Sequence, residues 1–197
     1  MNKIDKDYFT FNVHNSALLV GQTGAGKTEL ARQYMRRLER SYTPEQMNYA
    51  LFDFKVVEFD PKFDGGAKRE YLYTDVRTGL PKDMDYFEEL AALAKKRANE
   101  DVQFPLLFVY LDECDFAAQY PARFQKAVLT INRYAKQANF KFIFSTSRPS
   151  NDIITEDVRD SFDIILSGRL ASETDATYLG IPYDTSLNNY EFAVKEK

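Results

Sequence analysis

Residues 17–28 read ALLVGQTGAGKT, and this stretch decides the fold of the chain. Its first four residues are apolar and typical of a buried strand, and residues 21–28 match the spacing G-x-x-x-x-G-K-T. A run with helical periodicity follows, in which the apolar positions are Leu30, Ala31, Tyr34, Met35 and Leu38. A strand, a glycine loop and a helix in this order form the context that a phosphate-binding loop needs.

The glycine loop carries a group suited to each part of a nucleoside triphosphate. Glycines let the backbone curl so that N–H groups point at phosphate oxygens, and the next helix presents its positive dipole end. We expect Lys27 to reach the β- and γ-phosphates and Thr28 to place its hydroxyl on Mg²⁺. The residues predicted to bind the cofactor, ATP with Mg²⁺, are Gly21, Thr23, Gly24, Ala25, Gly26, Lys27 and Thr28.

The composition fits one cytoplasmic domain over residues 1–197. Hydrophobic residues make up 44% of the chain, and the single cysteine, Cys114, excludes an internal disulfide, as is typical of the cytosol. The N-terminus lacks the apolar core of a signal peptide, and the apolar run at 104–111 is too short to span a bilayer. We therefore expect no direct membrane insertion.

Strands alternate with helices along the chain, which predicts an α/β fold with a mainly parallel sheet sandwiched by helices. The predicted strands cover residues 17–20, 49–54, 71–74, 106–111, 140–145, 163–167 and 190–194, the last at a sheet edge. The predicted helices cover residues 27–40, a segment opened by Pro81, and residues 121–138. Residues 1–16 are expected to form an edge strand or a lead-in segment.

Two acids, Asp112 and Glu113, end the wholly apolar strand at 106–111. Carboxylates at such a position are costly unless a cation pairs with them, and beside a phosphate-binding loop that cation is Mg²⁺. We expect Asp112 to hold the metal and Glu113 to act as general base on the attacking water. An ordinary solvated strand end is the alternative. The acid pair favours ATP hydrolysis, with water as the acceptor, over a small-molecule kinase.

The strand at 140–145 also ends in polar residues, with the sequence STSR at 145–148. A polar side chain at this tip can sense the γ-phosphate. Arg148 is suited equally to a phosphate contact and to a structural salt bridge.

Five blocks in sequence order resemble the FtsK–HerA superfamily of DNA-pumping ATPases. They are GQTGAGKT at 21–28, DFKVVEF at 53–59, YLDECD at 110–115, STSRPSNDIIT at 145–155 and LSGRLASETDA at 166–176. Ser147 stands where the family has glutamine, so the resemblance assigns it the γ-phosphate sensor position. Arg169 matches an arginine of the family's last motif, and we expect it to complete a neighbouring subunit's site in trans.

The resemblance implies a RecA-like P-loop core, a homo-oligomeric ring expected to be hexameric, and ATP-driven movement of double-stranded DNA without sequence preference. A domain of this size is also similar to the genome-packaging ATPases of some tailless DNA viruses. A docking protein on a capsid or a membrane is a further expected partner. Related motors serve conjugation and secretion, so a protein substrate remains the alternative.

The net charge of −4 gives no global attraction to DNA, but the charge is unevenly distributed. Residues 116–151 contain no acid and six bases: Arg123, Lys126, Arg133, Lys136, Lys141 and Arg148. The first four lie on one side of the predicted helix, where they could contact DNA phosphates, contact an acidic neighbouring subunit or simply be solvated. A second candidate set in the glycine-containing loop is Lys62, Lys68 and Arg69.

Overall fold

A computed structural model describes residues 3–4, 13–55, 57–63 and 65–196 of the chain. The strands are β1 (Lys3–Ile4), β2 (Ser16–Val20), β3 (Met47–Asp53), β4 (Leu106–Asp112), β5 (Phe140–Thr146), β6 (Ile164–Ser167) and β7 (Phe192–Glu196). The helices are α1 (Lys27–Ser41), α2 (Met84–Arg97), α3 (Asp115–Gln119), α4 (Pro121–Ala138), α5 (Glu156–Ser161) and α6 (Glu173–Leu179). Two 3₁₀ turns cover Arg69–Tyr71 and Pro81–Asp83.

The strands form one seven-stranded sheet in the order β1-β7-β6-β2-β5-β4-β3. The strands from β6 to β3 in this order pair in parallel, whereas β7 pairs antiparallel with both β6 and β1. Parallel strands need crossover connections, and helices supply most of them here. The predicted RecA-like α/β core with a mainly parallel sheet is confirmed.

Helices cover both faces of this sheet and divide the core into two layers. On one face, α1 buries Ala31, Tyr34, Met35 and Leu38, the helical positions expected from the sequence. On the other face, α2 and α4 bury a cluster of aromatic rings, in which Phe87 stacks on Phe116 at 5.4 Å and on Phe124 at 5.7 Å between ring centroids. The parallel strands are buried on both faces, which explains why their sequences are continuously apolar.

The predicted ends of α4 agree with the structure because local chemistry specifies both. Pro121 occupies the first helical turn, where its missing N–H costs nothing. Asn139 ends the helix in the left-handed region at φ 54°, a conformation that asparagine tolerates well. Across the residue ranges described above, no helix has both the length and the apolar character required to cross a membrane.

Three sequence predictions on secondary structure need correction. Residues 71–74 do not form a strand, because Leu72 and Arg77 make only isolated bridges to β3 and the chain between them is irregular. The last strand begins at Phe192 instead of Tyr190, and β1 lies outside it at the sheet edge. The short helices α3, α5 and α6 were not predicted. The predicted lead-in at residues 1–16 falls largely outside the described residues.

Candidate active site

The phosphate-binding loop runs from Gly21 to Gly26, between β2 and α1. Gly24 and Gly26 have φ angles of +84° and +98°, a left-handed backbone that side chains rarely adopt. Gly21 has another reason to be glycine, since a Cβ there would lie 3.1 Å from the Cβ of Ala25. The loop therefore takes a curled conformation that only its glycines permit.

Neighbouring segments hold the loop in place through its backbone. The Gly21 N–H donates to the Thr146 carbonyl at 3.3 Å, and the Gln22 N–H donates to the Arg169 carbonyl at 2.8 Å. From the other side, the Tyr190 N–H donates to the Ala25 carbonyl at 3.0 Å. The ends of β5 and β6 and the segment before β7 thus hold the loop in place.

Lys27 folds back over the loop and is only 8% exposed. Its ammonium donates to the Gly21 carbonyl at 2.5 Å and lies 3.8 Å from Glu113 Oε1. Burial lowers the pKa of Lys27, and the carboxylates of Glu113 and Asp112 oppose that shift. A phosphate in the loop would give this buried cation a stronger counter-charge than backbone carbonyls do.

Asp112 ends β4 with its carboxylate almost fully buried, at 2% exposure. Tyr110 Oη donates weakly to Oδ1 at 3.4 Å, while Oδ2 is buried and accepts no hydrogen bond from the described part of the chain. Burial and, second, the charge of Glu113 raise the pKa of Asp112 to about 6. An unsatisfied buried carboxylate oxygen fits a metal ligand or a metal-bound water.

The donor set around Asp112 fits Mg²⁺ better than a metal caged by protein alone. Among the residues described above, no group of three or more His, Cys, Asp or Glu side chains converges on a possible metal position. Magnesium in phosphate sites keeps several waters and takes one or two protein oxygens plus phosphate oxygens. Thr28 and Asp112 line the same cleft and could supply those protein oxygens.

Glu113 has an unusual backbone conformation for a residue with a side chain, with φ 49°. Its N–H donates to the Ser145 carbonyl at 3.1 Å, so the chain turns sharply as β4 ends. Ser147 Oγ donates to Glu113 Oε2 at 3.1 Å, while Lys27 faces Oε1. In the structure, the predicted sensor residue therefore forms a hydrogen bond with the predicted general base.

The DFKVVEF block is organised by Asp53, which is fully buried at the end of β3. Its carboxylate accepts the backbone N–H groups of Lys55, Glu58 and Phe59 at 3.1, 2.7 and 3.0 Å. Glu58 in turn pairs with Arg32 of α1 at 2.9 Å. Asp53 thus shapes the turn that brings Lys55 and Glu58 to the edge of the phosphate-binding loop.

These elements enclose an open cleft of about 810 Å³. Its lining residues are Thr23, Gly24, Gly26, Lys27, Thr28, Glu29, Arg32, Gln33, Phe54, Lys55, Glu58, Asp112, Glu113, Ser147 and Tyr190. Two residues of the phosphate-binding loop, Gly21 and Ala25, are buried and do not line the cleft. Arg148 and Arg169 lie outside the cleft, and Arg148 is exposed and forms no ion pair within the described ranges.

Arg169 packs on the outside of its own phosphate-binding loop. With the Gln22 amide oriented to satisfy its neighbours, the amide oxygen accepts hydrogen bonds from Arg169 Nη2, at 2.7 Å, and from Nε. Arg169 is exposed and is not among the residues that line the cleft. The structure therefore separates this arginine from the nucleotide side of its own loop.

The fold and the cleft together define a P-loop nucleotide-binding protein, and comparisons with known proteins give the family. A profile of the AAA domain family matches residues 12–154, more than half of the chain. The DNA translocase FtsK of Mycobacterium leprae is 24% identical over 188 residues, which cover 81% of this chain and 22% of that protein. The chain belongs to the AAA domain family, and its resemblance to the FtsK–HerA superfamily of P-loop ATPases is confirmed.

Solved structures share the fold at low sequence identity. The cytoplasmic domain of the Thermomonospora curvata type VII secretion ATPase EccC has a TM-score of 0.69 at 17% identity, covering 93% of this chain and 24% of that one. The genome packaging NTPase B204 of Sulfolobus turreted icosahedral virus 2, in complex with ATP-gammaS, has a TM-score of 0.58 at 17% identity. That match covers 94% of this chain and 93% of B204. The curated relative from Mycobacterium is much longer, since this chain spans only about a fifth of it.

The sequence motifs did not identify three parts of the site. Arg32 and Gln33 line the cleft because they follow the loop by one or two turns of α1, a position that helical geometry alone could have indicated. Tyr190 belongs to no motif, and its position depends on pairing between distant segments. The Gln22–Arg169 contact likewise joins two loops far apart in the chain.

Replacing Glu113 with glutamine tests the assignment of the general base. We expect Glu113→Gln to retain ATP binding and to lose about 100- to 10,000-fold in turnover, because the amide cannot accept the proton of the attacking water. Lys27→Ala should instead weaken ATP binding itself, since it removes the cation that faces the phosphates. Phosphate release and calorimetric titration with ATP separate the two effects.

The matched control is Glu89→Gln, which makes the same chemical change at an exposed position of α2 outside the cleft. This variant should turn over like the parent protein. Turnover at the parent rate by Glu113→Gln would show that another group activates the water.

Proposed function

We propose that the chain hydrolyses ATP with Mg²⁺ in this cleft. The observation that carries the proposal is the buried Oδ2 of Asp112, which accepts no hydrogen bond from any residue that the structure describes. Asp112 lies next to Glu113, at the edge of the sheet that also holds the phosphate-binding loop. Thr28 and Asp112 would hold the ion, whose charge would neutralise the phosphate oxygens. The loop N–H groups and Lys27 would bind the phosphates, and Glu113 would orient the attacking water and accept its proton.

Ser147 has a supporting role in this proposal. In the family pattern its position belongs to a sensor of the γ-phosphate, but serine is shorter than glutamine and here donates to Glu113 at 3.1 Å. A hydrogen bond from a hydroxyl keeps the carboxylate of Glu113 in a fixed orientation. We therefore place Ser147 as the residue that positions the general base, with the γ-phosphate sensed through Glu113.

We further propose that hydrolysis moves double-stranded DNA without sequence preference. The similar proteins named DNA translocase FtsK and genome packaging NTPase support this function. The proposal includes one motor unit over residues 1–197, a homo-oligomeric ring taken as hexameric from the resemblance, and action in the cytoplasm. A docking protein on a membrane or capsid would recruit it.

A groove between α2 and α4 is the surface best suited to DNA phosphates. Its volume is about 460 Å³, and its charged lining residues are all basic: Lys95, Lys126 and Arg133. None of these three forms an ion pair with a residue that the structure describes. Two of the other predicted bases are less available, because Arg123 pairs with Asp85 and Glu88, and Lys68 pairs with Glu39 at 3.0 Å.

The DNA proposal predicts that linear duplex DNA stimulates ATP turnover regardless of its sequence. The stimulation should fade as salt rises, since phosphate contacts release counterions. Lys126→Glu combined with Arg133→Glu should abolish the stimulation and leave basal turnover unchanged, because both side chains are remote from the cleft. The measurement is phosphate release with and without DNA at low and high salt.

The rival variant combines Lys68→Glu with Arg69→Glu and makes the same charge change on the glycine-containing loop. If only this pair removed the stimulation, the DNA contact would lie on that loop and the groove assignment would be wrong. Turnover indifferent to DNA at low salt would favour the second candidate function, a motor acting on a protein. The fold that this chain shares with a type VII secretion ATPase is the observation that favours this second function.

The proposed ring also needs an arginine that acts between subunits, and we assign this role to Arg169. A guanidinium from a neighbouring subunit stabilises charge on the γ-phosphate and can be worth about a thousand-fold in rate. Arg169 is exposed and lies outside its own cleft, so it can serve a neighbour. Its hydrogen bonds to Gln22 also link this position to the phosphate-binding loop of its own subunit.

Mixing two inactive variants tests the trans assignment. Arg169→Ala lacks the arginine and Lys27→Ala lacks the intact loop, so a mixed ring contains some interfaces with both intact. We expect partial recovery of ATP turnover on mixing, with Arg148→Ala as a control that stays active by itself. Normal turnover by Arg169→Ala, or no recovery in subunits that demonstrably assemble together, would refute the role.

A further inference from the structure

We infer that Tyr190 is the platform on which the nucleobase of the bound nucleotide stacks. This inference deepens the proposed function and rests on it, because it assigns the part of the nucleotide that the phosphate motifs leave unassigned. The ligand class is a nucleoside triphosphate with a planar aromatic base. The groups that carry the inference are the exposed ring of Tyr190, the glycine it covers and the order of the strands.

The ring of Tyr190 lies directly against the phosphate-binding loop. A Cβ placed on Gly26 would fall 2.5 Å from Tyr190 Cδ1 and 3.1 Å from its Cα, so only glycine permits this approach. The Tyr190 N–H also donates to the Ala25 carbonyl at 3.0 Å. Ring and backbone are therefore in direct contact with the loop that would hold the phosphates.

One side of this ring is available to a ligand. Tyr190 is 53% exposed and lines the same cleft as Lys27 and Thr28. Within the described ranges, no aromatic ring or cation packs on Tyr190, and its hydroxyl makes no hydrogen bond there. An exposed tyrosine at the rim of a polar cleft offers a large flat apolar surface at low entropic cost.

The order of the strands indicates which end of the bound nucleotide would lie against the ring of Tyr190. Asp112 ends β4 and Glu113 follows it. Because β4 lies on the β5 side of β2, the reacting γ-phosphate faces that side. The opposite end of the nucleotide must then extend towards β6 and β7. Tyr190 lies two residues before β7, whereas Phe54, the other aromatic residue lining the cleft, follows β3 on the side of Glu113.

The backbone at Tyr190 is held in an unfavourable conformation. Its φ angle is 71°, in the left-handed region, which is unfavourable for a residue with a side chain. Backbone strain of this kind clusters at ligand-binding positions, where it fixes a side chain before the ligand arrives. At Tyr190 this backbone conformation fixes the ring beside the loop, although no other ring or cation among the described residues packs on it.

Stacking on Tyr190 would recognise the base by its face and not by its edge. Every nucleobase has such a face, and removing a stacking ring typically weakens binding by about 5- to 100-fold. The phosphates would be held by the loop independently of this contact. Tyr190 therefore should contribute to the affinity for a nucleotide and not to the affinity for its phosphate chain.

Calorimetric titration with two ligands, each with Mg²⁺, tests the inference. The ligands are a non-hydrolysable ATP analogue and inorganic triphosphate, which lacks the base and the sugar. Tyr190→Asn removes the ring but suits the left-handed backbone. We expect this variant to lower the affinity for the ATP analogue by about 5- to 100-fold. Its affinity for inorganic triphosphate should stay within twofold of the wild-type value. Tyr190→Phe keeps a ring and should restore nucleotide affinity.

Phe54→Ala is the matched control, since it removes the other aromatic ring lining the cleft. It should not change the ratio of the two affinities. The inference is overturned if Tyr190→Asn lowers the affinity for both ligands by the same factor, because the ring would then act only through the loop. It is also overturned if nucleotide affinity is unchanged. If the wild-type protein bound neither ligand, the proposed function would fall as well, which distinguishes the two failures.

Discussion

The position of β2 between β5 and β6 is the constraint on which the rest of the structure depends. Because these strands run parallel, their carboxyl ends meet at one edge, and the register pairs Val20 with both Thr146 and Ser167. Farther along the sheet the register pairs Asp112 with Ser145 and with Asp53. The phosphate-binding loop, the acidic pair and the polar strand tip come together because of this pairing.

The same edge concentrates groups that are costly to bury. Lys27 is buried with Glu113 Oε1 3.8 Å from its ammonium. The Oδ2 of Asp112 accepts no hydrogen bond from the described residues, and the pKa of Asp112 is raised to about 6. Glu113 and Tyr190 add strained backbone at the rim of the cleft. Such local violations are expected where a protein exchanges stability for function, and a magnesium nucleotide supplies charges opposite to both buried groups.

Sequence could predict the parts of the fold that local patterns specify. The loop at 21–28, the strand leading to Asp112 and the full extent of α4 follow from spacing, apolar runs and terminal residues. Residues 71–74 carry side chains typical of a strand, yet Leu72 makes only an isolated bridge to β3. No local sequence pattern shows that the pairing stops there. The placement of Tyr190 on Gly26 and of Arg169 on Gln22 depends on the pairing of β6 and β7, so sequence periodicity could not place them. Sequence could not reveal the pairing of Arg123 with Asp85 and Glu88 either, because it depends on how α4 packs against α2.

We propose that ATP hydrolysis at this edge of the sheet drives movement along duplex DNA. The most direct measurement is displacement of a triplex-forming strand, annealed far from one end of a linear duplex, by the wild-type protein at low salt. The account predicts displacement with Mg²⁺ and ATP and none with a non-hydrolysable ATP analogue. Hydrolysis of ATP at full rate in the presence of this DNA, with the third strand left in place, would contradict it.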